Sequence, residues 1–88
     1  MKSAKELEQL VVKLIAETFE RHQPEEIDVM SHLQDDLDLD SVMMLHLIVE
    51  MELATGLEIP DESLSVEKLQ TVQSLVQLME ERQREGMK

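Results

Sequence analysis

Apolar residues fall along this chain in three runs with helical period, separated by stretches that keep no period. In the first run Leu7, Leu10, Val11, Leu14, Ile15 and Phe19 recur at spacings of three and four, which is one face of a helix. Ser3 and Glu6 precede it in the S-x-x-E order of a capping box, where hydroxyl and carboxylate satisfy backbone N–H groups that a helix start leaves without partners. The pattern predicts a helix from Ala4 to Glu20, with Val12 off the stripe and partly exposed. The last run is built from Val72, Leu75, Val76 and Met79, with Leu78 at its margin and Thr71 as N-cap. Arg82 and Arg84 stand near its end, where cations complement the helix dipole. Residues 83–88 are expected to fray, which leaves an ordered core of about residues 4–82.

The middle run has a different character. From Ser41 to Thr55 the predicted helix carries Met44, Leu47, Ile48 and Met51 on one side and Val42, His46, Val49 and Leu53 on the other. Glu50 and Glu52 are its only charges, and Gly56 supplies a C-terminal stop. A helix apolar nearly all round is normally buried, yet so short a chain has little with which to cover one on every side. One side is therefore expected to face the core and the other a partner or ligand.

Between the first two helices lies a long connection, Arg21 to Asp40, opened by the helix-stopping Pro24. Loops of that length in small domains tend to be functional. Ile27, Val29, Leu33, Leu37 and Leu39 are expected to pin it across the helix ends, with a turn of helix around Ser31–Gln34. The segment Ile59–Leu64 reads as a turn or a short third helix, extended or followed by a second turn over Ser65–Leu69. No repeat, strand-pairing pattern or low-complexity linker is evident, so the prediction is a single all-α domain over residues 1–88.

Charge narrows the function. With 20 acidic residues against 8 basic ones the formal net charge is -12. Nucleic-acid binding requires the opposite sign, and an anionic membrane surface would repel the chain. Partners with basic docking surfaces would be steered toward it. The chain has no cysteine, so disulfides and thiolate chemistry of its own are excluded. The apolar run Val42–Val49, broken by His46, is too short to span a bilayer, and a cytoplasmic monomer is the default expectation. Seven methionines fill core volume that a single aromatic, Phe19, does not.

The candidate chemistry gathers at one place. Asp35, Asp36, Asp38 and Asp40 crowd ahead of Ser41, which stands where the middle helix begins. Serine is a favoured N-cap, so a purely structural reading of Ser41 is available. A helix start also gathers free N–H groups and positive dipole, which suits a phosphate attached to that hydroxyl.

Leu37-Asp38-Leu39-Asp40-Ser41-Val42 resembles the Asp-Ser-Leu signature of acyl and peptidyl carrier proteins. Ala54-Thr55-Gly56-Leu57-Glu58-Ile59-Pro60 is similar to the segment after the serine-led helix in polyketide-synthase carrier domains, and Thr71-Val72-Gln73 to the start of their last helix. The resemblance covers about residues 5–82. It implies a small four-helix bundle of acyl-carrier type with a long first loop and a short third helix. It implies Ser41 as the attachment point of 4'-phosphopantetheine and Asp40 as a residue read by the phosphopantetheinyl transferase. Val42, Val49 and Glu50, with Asp36 and Asp38 in the acidic loop, would meet acyl-loading and acyl-processing enzymes, while Met44, Leu45, Ile48 and Met51 include core positions. The implied role is a non-enzymatic carrier that holds acyl groups as thioesters. Val42 replaces the usual leucine, Asp38 and Leu39 occupy a stretch where many members have glycine, and the middle helix carries few acids. These departures favour polyketide-like or other specialised metabolism over housekeeping fatty-acid synthesis, and a fatty-acid carrier or an aminoacyl or peptidyl carrier is the alternative within the family.

Three other readings compete. Asp36-x-Asp38-x-Asp40 copies the start of an EF-hand loop, but Ser41 replaces its glycine and Leu47 its terminal glutamate. His22, His32 and His46 lack metal-ligand spacing and form no evident catalytic triad. An unmodified acidic adapter that binds partners through the middle helix is the remaining alternative.

Overall fold

The computed structural model describes residues 2–20, 23–60 and 69–86. Three α-helices, α1 (Ala4–Phe19), α2 (Ser41–Thr55) and α3 (Val72–Gly86), pack so that α1 lies against both of the others. The first is set by its sequence signals. Ser3 Oγ accepts from the Glu6 N–H at 3.2 Å while the Ser3 N–H donates to Glu6 Oε1 at 3.1 Å, closing the capping box. That backbone N–H holds the Glu6 carboxyl below its ordinary value. The contribution is present at neutral pH and is lost as pH falls through the lowered value. Glu20 ends the helix in a left-handed conformation, φ 54°. Leu7, Val11 and Ile15 are fully buried, with Leu10, Leu14, Phe19 and the off-stripe Val12 at the margin.

From residue 23 to 40 the connection is folded rather than loose. A short 3-10 turn at Pro24–Glu26 opens it, and Ile27, Leu33, Leu37 and Leu39 enter the core as expected, with Val29 half-buried. The predicted helical turn at Ser31–Gln34 falls slightly later, where the Asp36 and Leu37 N–H groups both donate to the His32 carbonyl. The loop also serves as the cap of α3. Ser31 O accepts from the Val72 N–H at 3.3 Å and Val29 O from the Gln73 N–H at 2.9 Å, while the Leu33 N–H donates to Gln70 O at 2.8 Å. Thr71 Oγ1 takes the Ser74 N–H at 3.1 Å, as the N-cap assignment required. A single antiparallel bridge between His32 and Thr71 is the one strand-like pairing among the described residues.

α3 differs from expectation in two respects. Leu78 is buried with Val72, Leu75, Val76 and Met79, so the apolar arc is wider than its spacing suggested. The helix also continues past Arg84 to Gly86. Gln83 accounts for its persistence. Its side chain is buried and exchanges two 2.9 Å hydrogen bonds with the backbone N–H and carbonyl of Lys2, clasping the end of α3 to the start of α1.

α2 stops at Gly56 with φ 73°, a conformation that costs other residues about 1–2 kcal/mol. The strand of chain after it is held from both sides. Glu52 Oε2 accepts from the Ile59 N–H at 2.9 Å and Arg82 Nε donates to the Glu58 carbonyl at 2.9 Å. The anticipated short helix over 59–69 lies largely outside the described residues, so the fold established here is an all-helical bundle with three described α-helices.

Candidate functional site

The middle helix begins at the end of the acidic loop, and the side chain that caps it is not serine. Asp40 is extended, φ -86° and ψ -178°, and its Oδ1 accepts from the Met43 N–H at 2.9 Å. The N-cap role considered for Ser41 therefore belongs to Asp40. A carboxylate is as good a cap as a hydroxyl and adds a favourable charge at the positive end of the helix. Ser41 is displaced into the first turn, exposed, and its Oγ has no hydrogen-bond partner among the described residues. The backbone N–H groups of Ser41 and Val42 also lack partners there, since the first available capping oxygens serve Met43 and Met44. The result is an accessible hydroxyl beside outward N–H donors, at the edge of an open depression lined by Gln34, Asp38, Leu39, Asp40, Ser41 and Met43.

The rest of the acidic loop has structural duties. Asp36 Oδ2 accepts from the His32 N–H at 2.8 Å. Asp38 adopts φ 57°, the left-handed conformation that glycine takes without strain. The absent glycine thus has a counterpart in backbone geometry rather than in residue type, and aspartate is among the residues that tolerate it. Asp36 and Asp40 turn carboxylate oxygens to separate backbone donors, and the described residues form no cluster of acids and histidines able to hold a metal. This arrangement does not make the inward ring of oxygens that a calcium loop needs.

Along α2 the two faces separate as the pattern predicted. Met44, Leu47, Ile48 and Met51 are buried, whereas Val42 and Leu53 are about three-quarters exposed, at 75% and 74%, and Val49 is 49% exposed. Leu45, grouped with core positions by resemblance, is 58% exposed and joins the outer face. His46 lies on this face with Nε2 3.4 Å from Glu50 Oε1, and its ring meets Phe19 edge-on at 6.0 Å. No described helix is long and apolar enough to cross a membrane. The exposed apolar row is consequently a surface feature of a short bundle helix.

Two residues escaped the sequence reading, one beside Ser41 and one at the far end of the bundle. Gln34 shares the depression with Ser41 although seven positions separate them, and only the folded loop reveals it. Gln83 had a signal, because it continues the three-four stripe after Val72, Val76 and Met79 as a polar residue in an apolar register.

Comparison with known proteins shows the family. The model of the family described as a phosphopantetheine attachment site matches residues 9–79. The acyl carrier protein AsbD of Bacillus anthracis is 36% identical over 77 residues, covering 88% of this chain and 85% of that one. An acyl carrier protein of Rhodococcus erythropolis is 33% identical over 81 residues, covering 90% of this chain and 87% of that one. Among solved structures, an acyl carrier protein from Enterococcus faecalis superposes with TM-score 0.69 at 28% identity, covering 92% of this chain and 99% of that one. The chain therefore belongs to the phosphopantetheine-attachment family and is an acyl carrier protein, a non-catalytic member of a group that bears 4'-phosphopantetheine covalently on a serine.

Proposed function

We propose that Ser41 is the serine that bears the arm. The observation that carries this reading is the division of labour at the start of α2, where Asp40 caps the helix and leaves the Ser41 hydroxyl exposed and unengaged. The residues fit the group. A phosphodiester on Ser41 Oγ would lie beside the unpaired N–H groups of the first turn, where the helix dipole favours negative charge. When bound, the arm supplies a terminal thiol for thioester formation, a function this cysteine-free chain has no side chain to provide. The chain's own share is to hold the attachment point on a fixed helix end and to present it to other proteins.

The outer face of α2 together with the acidic loop before it is the proposed docking surface. Val42 and Val49 supply apolar contact, and Glu50, Asp36 and Asp38 supply charge. Charge is distributed unevenly in support of this. Residues 22–67 contain thirteen of the twenty acids and none of the eight lysines and arginines. A transferase and acyl-processing enzymes with basic rims would be steered to that half of the molecule. Asp40 would be read by the transferase through its charge as well as capping the helix. Val42 after the serine and the scarcity of acids on α2 favour enzymes of polyketide-like or other specialised pathways, met by a cytoplasmic monomer.

Intact-mass measurement after incubation with coenzyme A and a broad-specificity phosphopantetheinyl transferase tests the attachment. A single arm is expected, on the peptide containing Ser41, and a modified peptide lacking Ser41 would overturn the assignment. Docking is tested separately. Raising ionic strength from about 0.05 to 0.5 M should weaken binding to the transferase roughly tenfold, because exposed charges are screened as the Debye length shrinks. A salt-independent affinity would argue for a purely apolar contact.

A further inference from the structure

The proximal arm has one neutral hydrogen-bonding side chain beside its attachment point, Gln34. The depression next to Ser41 is otherwise flanked by two carboxylates, Asp38 and Asp40, and by the apolar Leu39 and Met43. A phosphodiester is anionic at any physiological pH, so both acids repel it. No lysine or arginine lines the depression. Gln34 is the exception. Its carboxamide carries two N–H donors and makes no hydrogen bond to the described residues.

Its position is also fixed rather than incidental. Leu33 and Leu37, on either side of it, are almost wholly buried, at 0% and 2% exposure. The turn between them is closed by the Asp36 and Leu37 N–H groups on His32 O, and the Leu39 N–H returns to Leu33 O at 2.9 Å. That last bond folds the chain back so that residue 34 stands beside the start of α2. With the backbone pinned, only the side chain's own rotamer freedom is lost on binding, and a ligand tethered at Ser41 is present at an effective concentration in the millimolar range. Hydrogen bonds to an ionised acceptor are also the stronger kind.

We propose that the Gln34 carboxamide donates to the phosphodiester of the arm on Ser41, with Met43 as the apolar wall for the hydrocarbon segment that follows. This rests on the Ser41 reading above. The proximal arm would then lie in the depression while its thiol end extends to solvent. The contact would add to the free N–H groups at the start of α2 in holding an anion beside two carboxylates.

The test uses 15N-labelled full chain before and after conversion with coenzyme A and transferase, with the extent of conversion followed by mass. The Gln34 side-chain amide resonances should move on modification several times further than those of Gln77, an exposed glutamine on α3. In the modified Gln34→Ala variant the 31P resonance should shift toward that of a free phosphodiester, with conversion still complete. Full conversion with Gln34 amides no more perturbed than Gln77, or a 31P resonance indifferent to Gln34→Ala, overturns the contact and leaves Ser41 as carrier. Absence of any mass gain overturns the attachment assignment itself, and the contact with it.

Discussion

Ser41→Ala stays at its unmodified mass after prolonged incubation with coenzyme A and transferase, and it unfolds at nearly the temperature of the parent chain. Complete loss of modification with little loss of stability is the expected signature, because the exposed hydroxyl has no hydrogen-bond partner among the described residues. Exposed substitutions outside structural contacts change stability by no more than about 0.5 kcal/mol. The neighbouring residue should behave in the opposite manner. Asp40→Ala removes the oxygen that accepts from the Met43 N–H and should cost about 1 kcal/mol. Asp40→Asn keeps an N-cap of equal quality while deleting the charge. If the transferase reads that charge, Asp40→Asn slows modification while lowering the melting temperature less than Asp40→Ala does, since the cap is kept and only the charge–dipole contribution is lost. Mass spectrometry and thermal denaturation on the three variants separate attachment, recognition and capping. A destabilised Ser41→Ala, or one that still gains an arm, would contradict the division of roles.

The second large effect is on stability, and it lies in the loop. Leu33→Ala should cost about 2–5 kcal/mol, as for a buried leucine in a helix, although residue 33 is in neither a helix nor a strand. Leu33 is fully buried, its N–H is bonded to Gln70 O and its carbonyl receives the Leu39 N–H. Truncation leaves a cavity at the point where the loop grips α3 and folds back toward Ser41. Small domains hold only about 5–15 kcal/mol in total, so a loss of that size is a large fraction of the whole. Leu53→Ala, at a position 74% exposed, should stay within about 0.5 kcal/mol and serves as the control. Urea denaturation of both variants distinguishes them, and equal midpoints would show that the loop is not part of the cooperative core.

What the sequence revealed and what it concealed divide along the range of the interactions involved. The ends of α2 were legible because Ser41 follows a run of acids and Gly56 follows Thr55, both local signals. The two-faced burial of α2 followed from period alone, with Met44, Leu47, Ile48 and Met51 inside and Val42, Val49 and Leu53 outside. The choice of cap was not legible, because Asp40 and Ser41 are adjacent and both suited to it, and it is settled by backbone conformation that composition does not encode. Leu45 was grouped with the core by resemblance, but in this chain it turns outward. Contacts between residues far apart in sequence were invisible. The bonds from Val29, Ser31 and Leu33 to residues 70–73 bridge some forty positions, and neither partner has a side chain that announces the pairing. The apposition of Gln34 to Ser41 is a product of the same folded loop.

The Gln83–Lys2 clasp fixes where foreign material can be joined. It binds the start of α1 to the far end of α3, whereas the loop leading to Ser41 grips the opposite end of α3. Eleven residue steps along α3, from Val72 to Gln83, separate the two grips, roughly 17 Å at 1.5 Å per residue. A fluorophore, affinity handle or fused protein placed ahead of Lys2 would thus project from the end remote from the serine, leaving the approach of a modifying enzyme unobstructed.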